Sequence, residues 1–236
     1  MSTLKQLRDQ LVLENQSIVG DPYVGATMLN KWINDAQKFV QLQLSGLGMK
    51  KWETSKDFAY PATMGLSSIG NIAFKTIDIN STNFPDIIED VKAIRYISLT
   101  HTRGLNTYYG MAREISEENI EDCDNSYMKP TIKSSGFIRT SAKIYIAPDS
   151  ATAATVHYTR VVTNLTEEDD NTEIPQEYEE FIIKRAKLSI DFYLKKFVDD
   201  GLLVQSLAKE IQEKYQLSIM KNIETKRKAK EGQTQE

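Results

Sequence analysis

Residues Val156 to Leu188 read VHYTRVVTNLTEEDDNTEIPQEYEEFIIKRAKL, and the reading of this run decides the fold. Its first residues alternate as a strand does. Tyr158, Arg160 and Val162 share one face and His157, Thr159 and Val161 the other. Leu165 and Thr166 lie in a short linker, followed by the acidic loop Glu167 to Glu173. Pro175 then suits the first position of a helix, and Glu177, Glu179 and Glu180 suit the positive end of its dipole. Ile182, Ala186, Ser189, Tyr193 and Phe197 form a helical stripe, widened by Phe181, Leu188 and Phe192. The run is a joint between a β region and a helical region.

Downstream, Asp199-Asp200-Gly201 marks a break. A second helix follows, with Leu203 or Val204, Leu207, Ile211 and Tyr215 turned inward. Running from 202 to 224, it spans roughly 35 Å. Residues 226–236 carry no apolar stripe and are expected to be disordered unless a partner holds them.

Upstream, Lys143 to Ile146 reads as a strand stopped by Ala147-Pro148-Asp149. The spacing predicts a hairpin between 143–146 and 155–162, with an open loop over 149–154. Phe137 to Arg139, Ile72 to Ile79 and Ala93 to Thr100 also read as strands. Leu105 to Ala112 reads as strand or loop. Pro85 opens a short helical turn, and Ser116 to Glu121 reads as a short capped helix. At the start, Leu4, Leu7, Leu11 and Ile18 follow a helical stripe capped by Ser2 or Thr3. Gly20-Asp21-Pro22 interrupts it. A clearer helix, capped by Thr27, puts Leu29, Trp32, Ile33, Ala36 and Val40 on one face and ends near Gly46. The expected fold class is therefore α+β. Residues 1–50 and 165–225 form a helical bundle, 51–164 form a β-rich insertion in its middle, and 226–236 form a flexible tail.

The formal net charge is −4 and the pI near 5.4, so the whole chain is not a basic nucleic-acid binder. One cysteine, Cys123, excludes a disulfide framework within the chain and a cysteine-rich zinc site. Two histidines, His101 and His157, exclude a histidine-rich metal site. Met1 to Arg8 has no signal-peptide pattern, and no apolar run approaches the ~20 residues that span a bilayer.

Asp169, Asn171 and Glu173 hint at calcium, but the sharp-turn glycine and distal bidentate glutamate of an EF-hand are missing. Carboxylates are plentiful, yet nothing fixes two of them at the separation glycoside hydrolysis needs. Neither histidine sits in a Ser-His-Asp pattern. Cys123 lies among Glu121, Asp122 and Asp124, which disfavour a reactive thiolate. Gly65, Gly70 and Gly104 fit no phosphate loop. Trp32, on the apolar stripe, reads as core, whereas Trp52, after two lysines, reads as partly exposed and suited to an interface. Lys221, Lys226, Arg227, Lys228 and Lys230 form a basic end that suits phosphates or, preferably, an acidic groove on a protein.

Two stretches carry a resemblance. One is Leu29-x-x-Trp32-Ile33-Asn34-Asp35-Ala36. The other runs from Ile144-Tyr145-Ile146-Ala147-Pro148 through Tyr158-x-Arg160, Leu165-Thr166 and Ile174-Pro175-x-x-Tyr178 to Ala186. In order and spacing, the chain resembles the head-to-tail adaptor (connector, or head-completion) proteins of tailed bacteriophages over residues 27–45 and 137–200. The resemblance implies a structural virion protein of the neck, assembled in the host cytoplasm, with no catalytic activity and no cofactor. It implies a ring, twelve copies by analogy with the portal. That ring lies beneath the portal protein, extends the DNA channel without sequence-specific binding, and offers a docking surface to the tail or nozzle protein. It assigns portal binding to the C-terminal helix and tail: Leu203, Leu207, Ile211, Tyr215, Lys221, Lys226, Arg227, Lys228 and Lys230. It assigns architecture to Trp32, Asn34, Ala36, Tyr158, Arg160, Leu165, Thr166, Pro175, Tyr178 and Ala186. Two other classes remain open: a cell-wall-degrading virion enzyme using paired carboxylates, and a nucleic-acid-binding protein using the basic tail.

Overall fold

A computed structural model describes residues 1–19, 21, 23–69, 72–80, 82–84, 94–119, 130–194 and 200–233. Of residues 17, 200 and 227–233 it describes the backbone only. The chain divides into two compact units: Met1–Lys51 with Val162–Glu236, and Trp52–Val161.

The helical unit contains α1 (Leu4–Glu14), α2 (Ala26–Gly46), α3 (Glu179–Tyr193) and α4 (Asp200–Gln233). Thr3 caps α1 through a reciprocal box with Gln6. The helix stops at Glu14, so Ile18 belongs instead to a separate 3-10 turn, Gln16–Ile18. Gly25, not Thr27, is the N-cap of α2, and Thr27 lies inside its first turn. Pro175 caps a 3-10 turn, Gln176–Tyr178, and α3 begins only at Glu179. Leu29, Trp32, Ile33, Ala36, Val40 and Leu44 of α2 are buried, as are Phe181, Ile182, Ile183, Ala186 and Ile190 of α3. The small Ala36 and Ala186 fit the close packing of α2 on α3. α4 continues to Gln233 rather than ending near 224. Lys, Arg, Ala and Glu all have good helix propensity, so the backbone stays helical without an apolar stripe.

The second unit corrects the expected fold class. It is not a β insertion carried by a helical bundle. Among the described residues it is built on an eight-stranded mixed sheet, curled into a half-barrel. The strands are β1 (Glu53–Ala59), β2 (Gly65–Ile69), β3 (Ile72–Asp78), β4 (Ile94–Arg103), β5 (Asn106–Glu114), β6 (Gly136–Arg139), β7 (Lys143–Ala147) and β8 (Ala151–Thr159). Their order is β1-β8-β4-β5-β6-β7-β3-β2. Only β5 and β6 run parallel. Thus 106–112 is strand, with Leu105 in the turn before it, while 116–121 yields only a 3-10 turn over 117–119 within the described residues. The turn expected at Pro85, the remainder of that capped helix, Phe197 and Cys123 lie outside the described residues.

The hairpin expected between 143–146 and 155–162 does not form. β7 pairs with β3 and β6, and β8 pairs with β1 and β4. Only Pro148, Asp149 and Ser150 join them, and Ala151 N–H donates back to the Pro148 carbonyl at 3.4 Å. This connection forces the curl. In a flat sheet, β7 and β8 would lie four strand spacings apart, roughly 19 Å. The chain from Ala147 to Ala151 reaches at most about 14 Å even when extended. The sheet must roll until the two strand ends meet. Its hollow is filled by Phe58, Met64, Ile77, Phe84, Ile97, Leu99, Phe137, Ile144, Ile146, Val156 and Tyr158. The first and last strands pair with each other, Glu53 opposite Thr159, and Arg160 N–H donates to the Trp52 carbonyl at 3.0 Å.

His101 fastens the roll. It lies on β4, 1% exposed. Its Nδ1 meets Ser150 Oγ of the β7–β8 connection at 3.2 Å, and its Nε2 meets Ser135 Oγ, just before β6, at 3.0 Å. The Ser135 hydroxyl donates to the Thr131 carbonyl at 3.1 Å, so it accepts from Nε2–H, and Nδ1 is the acceptor for Ser150. A neutral ring satisfies both contacts. Burial lowers the His101 pKa, partly opposed by the Ser150 backbone.

Because the folded pKa is lowered, acid charges the unfolded chain first. The stability contributed by neutral His101 is complete above its unfolded value of about 6.5 and is lost as pH falls below it. Thermal melts of the native chain are therefore expected to weaken as pH falls from 7.5 through 6.5. His101→Leu should lose about 1–3 kcal/mol at pH 7.5, where the buried Ser135 hydroxyl loses its ring partner. It should also show less of the acid-dependent decline than the native chain.

Candidate functional site

α2 carries more than an apolar stripe. Asn34, Gln37 and Gln41 recur at three- and four-residue spacing, so they form a row along one side of the helix. This amide row holds the linker that leads from the sheet to α3. Leu165 N–H donates to Asn34 Oδ1 at 2.8 Å, and Asn34 Nδ2 donates to the Leu165 carbonyl at 3.1 Å. Gln37 Nε2 donates to the Thr163 carbonyl at 2.9 Å, and Thr172 Oγ1 donates to Gln37 Oε1 at 3.2 Å. Val162 N–H donates to Gln41 Oε1 at 3.0 Å. Gln37 and Gln41 are fully buried. Their amides replace the ladder bonds that the linker backbone gives up when β8 ends, as a buried backbone requires.

The acidic loop closes on itself and on α1. Asp170 Oδ2 accepts from the N–H groups of Thr166 (2.7 Å) and Glu167 (2.9 Å) and from the Thr166 hydroxyl (3.1 Å). The backbone donors of Glu167 and Thr166 hold its carboxyl below the usual range. Glu168 pairs with Arg8, which lowers its pKa likewise. Leu4 and Lys5 N–H groups donate to the Asp170 and Glu168 carbonyls. Thr163 N–H donates to Glu173 Oε1, and Lys51 Nζ to the Glu173 carbonyl. Among the described residues, no three His, Cys, Asp or Glu side chains are grouped to hold a metal.

The architectural residues are divided between the two units. Trp32 is buried, with its ring 5.7 Å from that of Tyr193. Ala36 and Ala186 lie in the α2–α3 packing, and Tyr178 is fully buried, which raises its pKa. The Pro175 carbonyl accepts from Tyr178 N–H at 2.8 Å. Tyr158 and Arg160 belong to the sheet unit. Tyr158 packs edge-on to Phe84 at 5.2 Å, and Arg160 Nη1 donates to the Val161 carbonyl. Trp52 is fully buried, not partly exposed. Gln37 and Gln41 were missed in the sequence. Their signal is the amide spacing beside the apolar stripe.

α4 runs antiparallel to α3, because Lys214 Nζ meets Glu180 Oε1 and Lys184 Nζ meets Glu210 Oε2, both at 2.6 Å. The Lys214 pair lowers the Glu180 pKa. Leu207 and Ile211 are buried where α4 packs on α3 and α2, so they serve the chain's own core. Leu203 and Tyr215 are half-buried. The same register sets residue 218 level with residue 176, where the 3-10 turn before α3 begins. From there roughly 15 residues of α4, about 22 Å, run on past α3. Side chains from Ile219 to Lys226 are all exposed, Lys221 among them. The side chains of Arg227, Lys228 and Lys230 lie outside those described.

No family model matches the chain, and no curated protein matches it. Among the described residues, no helix is long and apolar enough to cross a membrane.

Asn34→Ala is expected to unpair both backbone groups of Leu165 at a cost of about 1–3 kcal/mol. That corresponds to a fall of about 2–12 °C in the melting midpoint followed by far-UV circular dichroism. The Leu165 amide should also lose hydrogen-exchange protection. Unchanged exchange there would refute the clamp.

Proposed function

We propose that this chain is a head-to-tail adaptor of a tailed bacteriophage: a non-enzymatic virion protein that forms a ring under the portal, extends the DNA channel and offers a surface to the tail. One observation carries the reading. The two stretches that resemble the adaptor family lie far apart in sequence, yet Asn34 of the first and Leu165 of the second are bonded to each other in both directions. Residues that must meet to hold a fold keep their order and spacing without any chemistry to perform. This bond supports the part of the resemblance carried by Leu29 to Ala36 and Leu165 to Ala186; the part from Ile144 to Arg160 lies in the sheet unit, where β7 and β8 do not pair.

The exposed end of α4 fits a docking role in this reading. An isolated helix of its length is marginal in water, so a partner surface would stabilise it. The portal contacts then belong to Lys221, Lys226, Arg227, Lys228 and Lys230, with Tyr215 at their margin, whereas Leu203 lies about 27 Å from Lys221 along the helix, beside α3. Leu207 and Ile211 act through the helix they anchor. The acidic balance of the chain suits a passage through which DNA slides without capture.

Electron microscopy of the protein mixed with portal rings is the direct test, with a ring stacked on the portal as the expected result. Deleting 226–236 should abolish attachment while leaving the melting curve unchanged. Full attachment by the truncated chain would remove the tail from the contact. Failure of the intact chain to attach would remove the adaptor reading.

A further inference from the structure

The apolar side chains of α4 change sides along the helix. Leu207 and Ile211 face inward. Met220 follows Ile211 by nine residues, two and a half turns, and so lies on the opposite side. There Leu217, Met220 and Ile223 are 58%, 60% and 48% exposed. Met220 and Ile223 belong to a longer seam, Glu213, Gln216, Met220, Ile223 and Arg227, at the alternating three- and four-residue spacing of paired helices, with an apolar centre, charged ends and Leu217 on its flank.

The seam is charge-symmetric about Met220. Seven residues before it stands Glu213, and seven after it Arg227. Eleven before stands Lys209, and eleven after Glu231. We propose that α4 pairs with α4 of a second copy, antiparallel, across a two-fold axis at Met220. In that pair Met220 meets Met220 of the second copy, and Leu217 meets its Ile223. By position along the helix, Glu213 falls opposite Arg227 and Lys209 opposite Glu231. A parallel pair would set Arg227 on Arg227 and Glu213 on Glu213, so charge selects the antiparallel arrangement. Residue i contacts j and j contacts i, as a two-fold contact demands. From Lys209 to Glu231 the paired helices run about 35 Å. That length buries on the order of 1,000 Å², the lower end for a specific interface, so the pair is reversible.

The pair uses the same end of α4 that the adaptor reading gives to the portal, so the two contacts exclude each other on one chain, and the test uses the purified full chain alone. Sedimentation velocity from low micromolar to a few hundred micromolar should show a monomer–dimer equilibrium. Met220→Glu, which places two carboxylates on the axis, should raise the dissociation constant by about tenfold or more. Glu213→Arg should also weaken the pair. The double variant Glu213→Arg with Arg227→Glu should restore it to within about threefold of the native value. Met220 and Glu213 are exposed in the single chain and each replacement keeps good helix propensity, so circular dichroism should not change. A native chain that is monomeric throughout, an oligomer indifferent to Met220→Glu, or a double variant no better than Glu213→Arg alone would each overturn the pairing.

Discussion

The helical unit depends on one constraint: a strand must end and a helix must begin without leaving linker backbone groups unpaired. The Asn34 amide meets that constraint at Leu165, with its oxygen accepting and its nitrogen donating. Gln37 and Gln41 continue the same service along α2. A buried backbone group without a partner costs about as much as a lost hydrogen bond, and several lie along this linker. Once the linker is fixed to α2, the start of α3 is fixed too, and Ala36 and Ala186 are brought into the helix packing. The acidic loop follows as a consequence. Its charge is drawn into Asp170's turn and Glu168's pair with Arg8.

The position of α4 is set at the next level. Glu180 with Lys214 and Lys184 with Glu210 are exposed pairs that contribute little individually. Phe181 lies between the two lysines, with Lys184 5.0 Å and Lys214 5.4 Å from its ring. The ions thus fix register while Leu207 and Ile211 supply the burial. Attachment is confined to the first part of the helix.

The helices were legible because each buries a face at 3.6-residue spacing. Trp32, Ile33, Ala36 and Val40 marked α2 without ambiguity. The sheet was less legible for reasons that are also physical. β1 reads ETSKDFA and β2 reads GLSSI, and both are edge strands with a largely solvated surface. Edge strands carry charge and small polar residues, so the alternation of a buried strand is diluted. The hairpin expectation failed differently. β7 and β8 are close in sequence and were assumed to be paired, but a sheet that rolls brings distant strands end to end. The role of His101 was invisible because its partners, Ser135 and Ser150, come from other strands' ends. For the joint, Asn34 and Leu165 were legible through a resemblance. Gln37 and Gln41, polar residues beside an apolar stripe, were not.

The pairing of β1 with β8, Glu53 opposite Thr159, has a consequence for how the chain reaches this state. The sheet interrupts the helical unit, and the two helical segments cannot meet until the interruption is closed. Closing a loop of that length costs on the order of 4 kcal/mol in chain entropy. When the sheet zips its first strand to its last, that closure is already made, and Lys51 and Val162 are delivered side by side. The amide row of α2 then finds its linker as a local event. A sheet that closes first thus lowers the chain-entropy cost of bringing the two distant segments of the helical unit together.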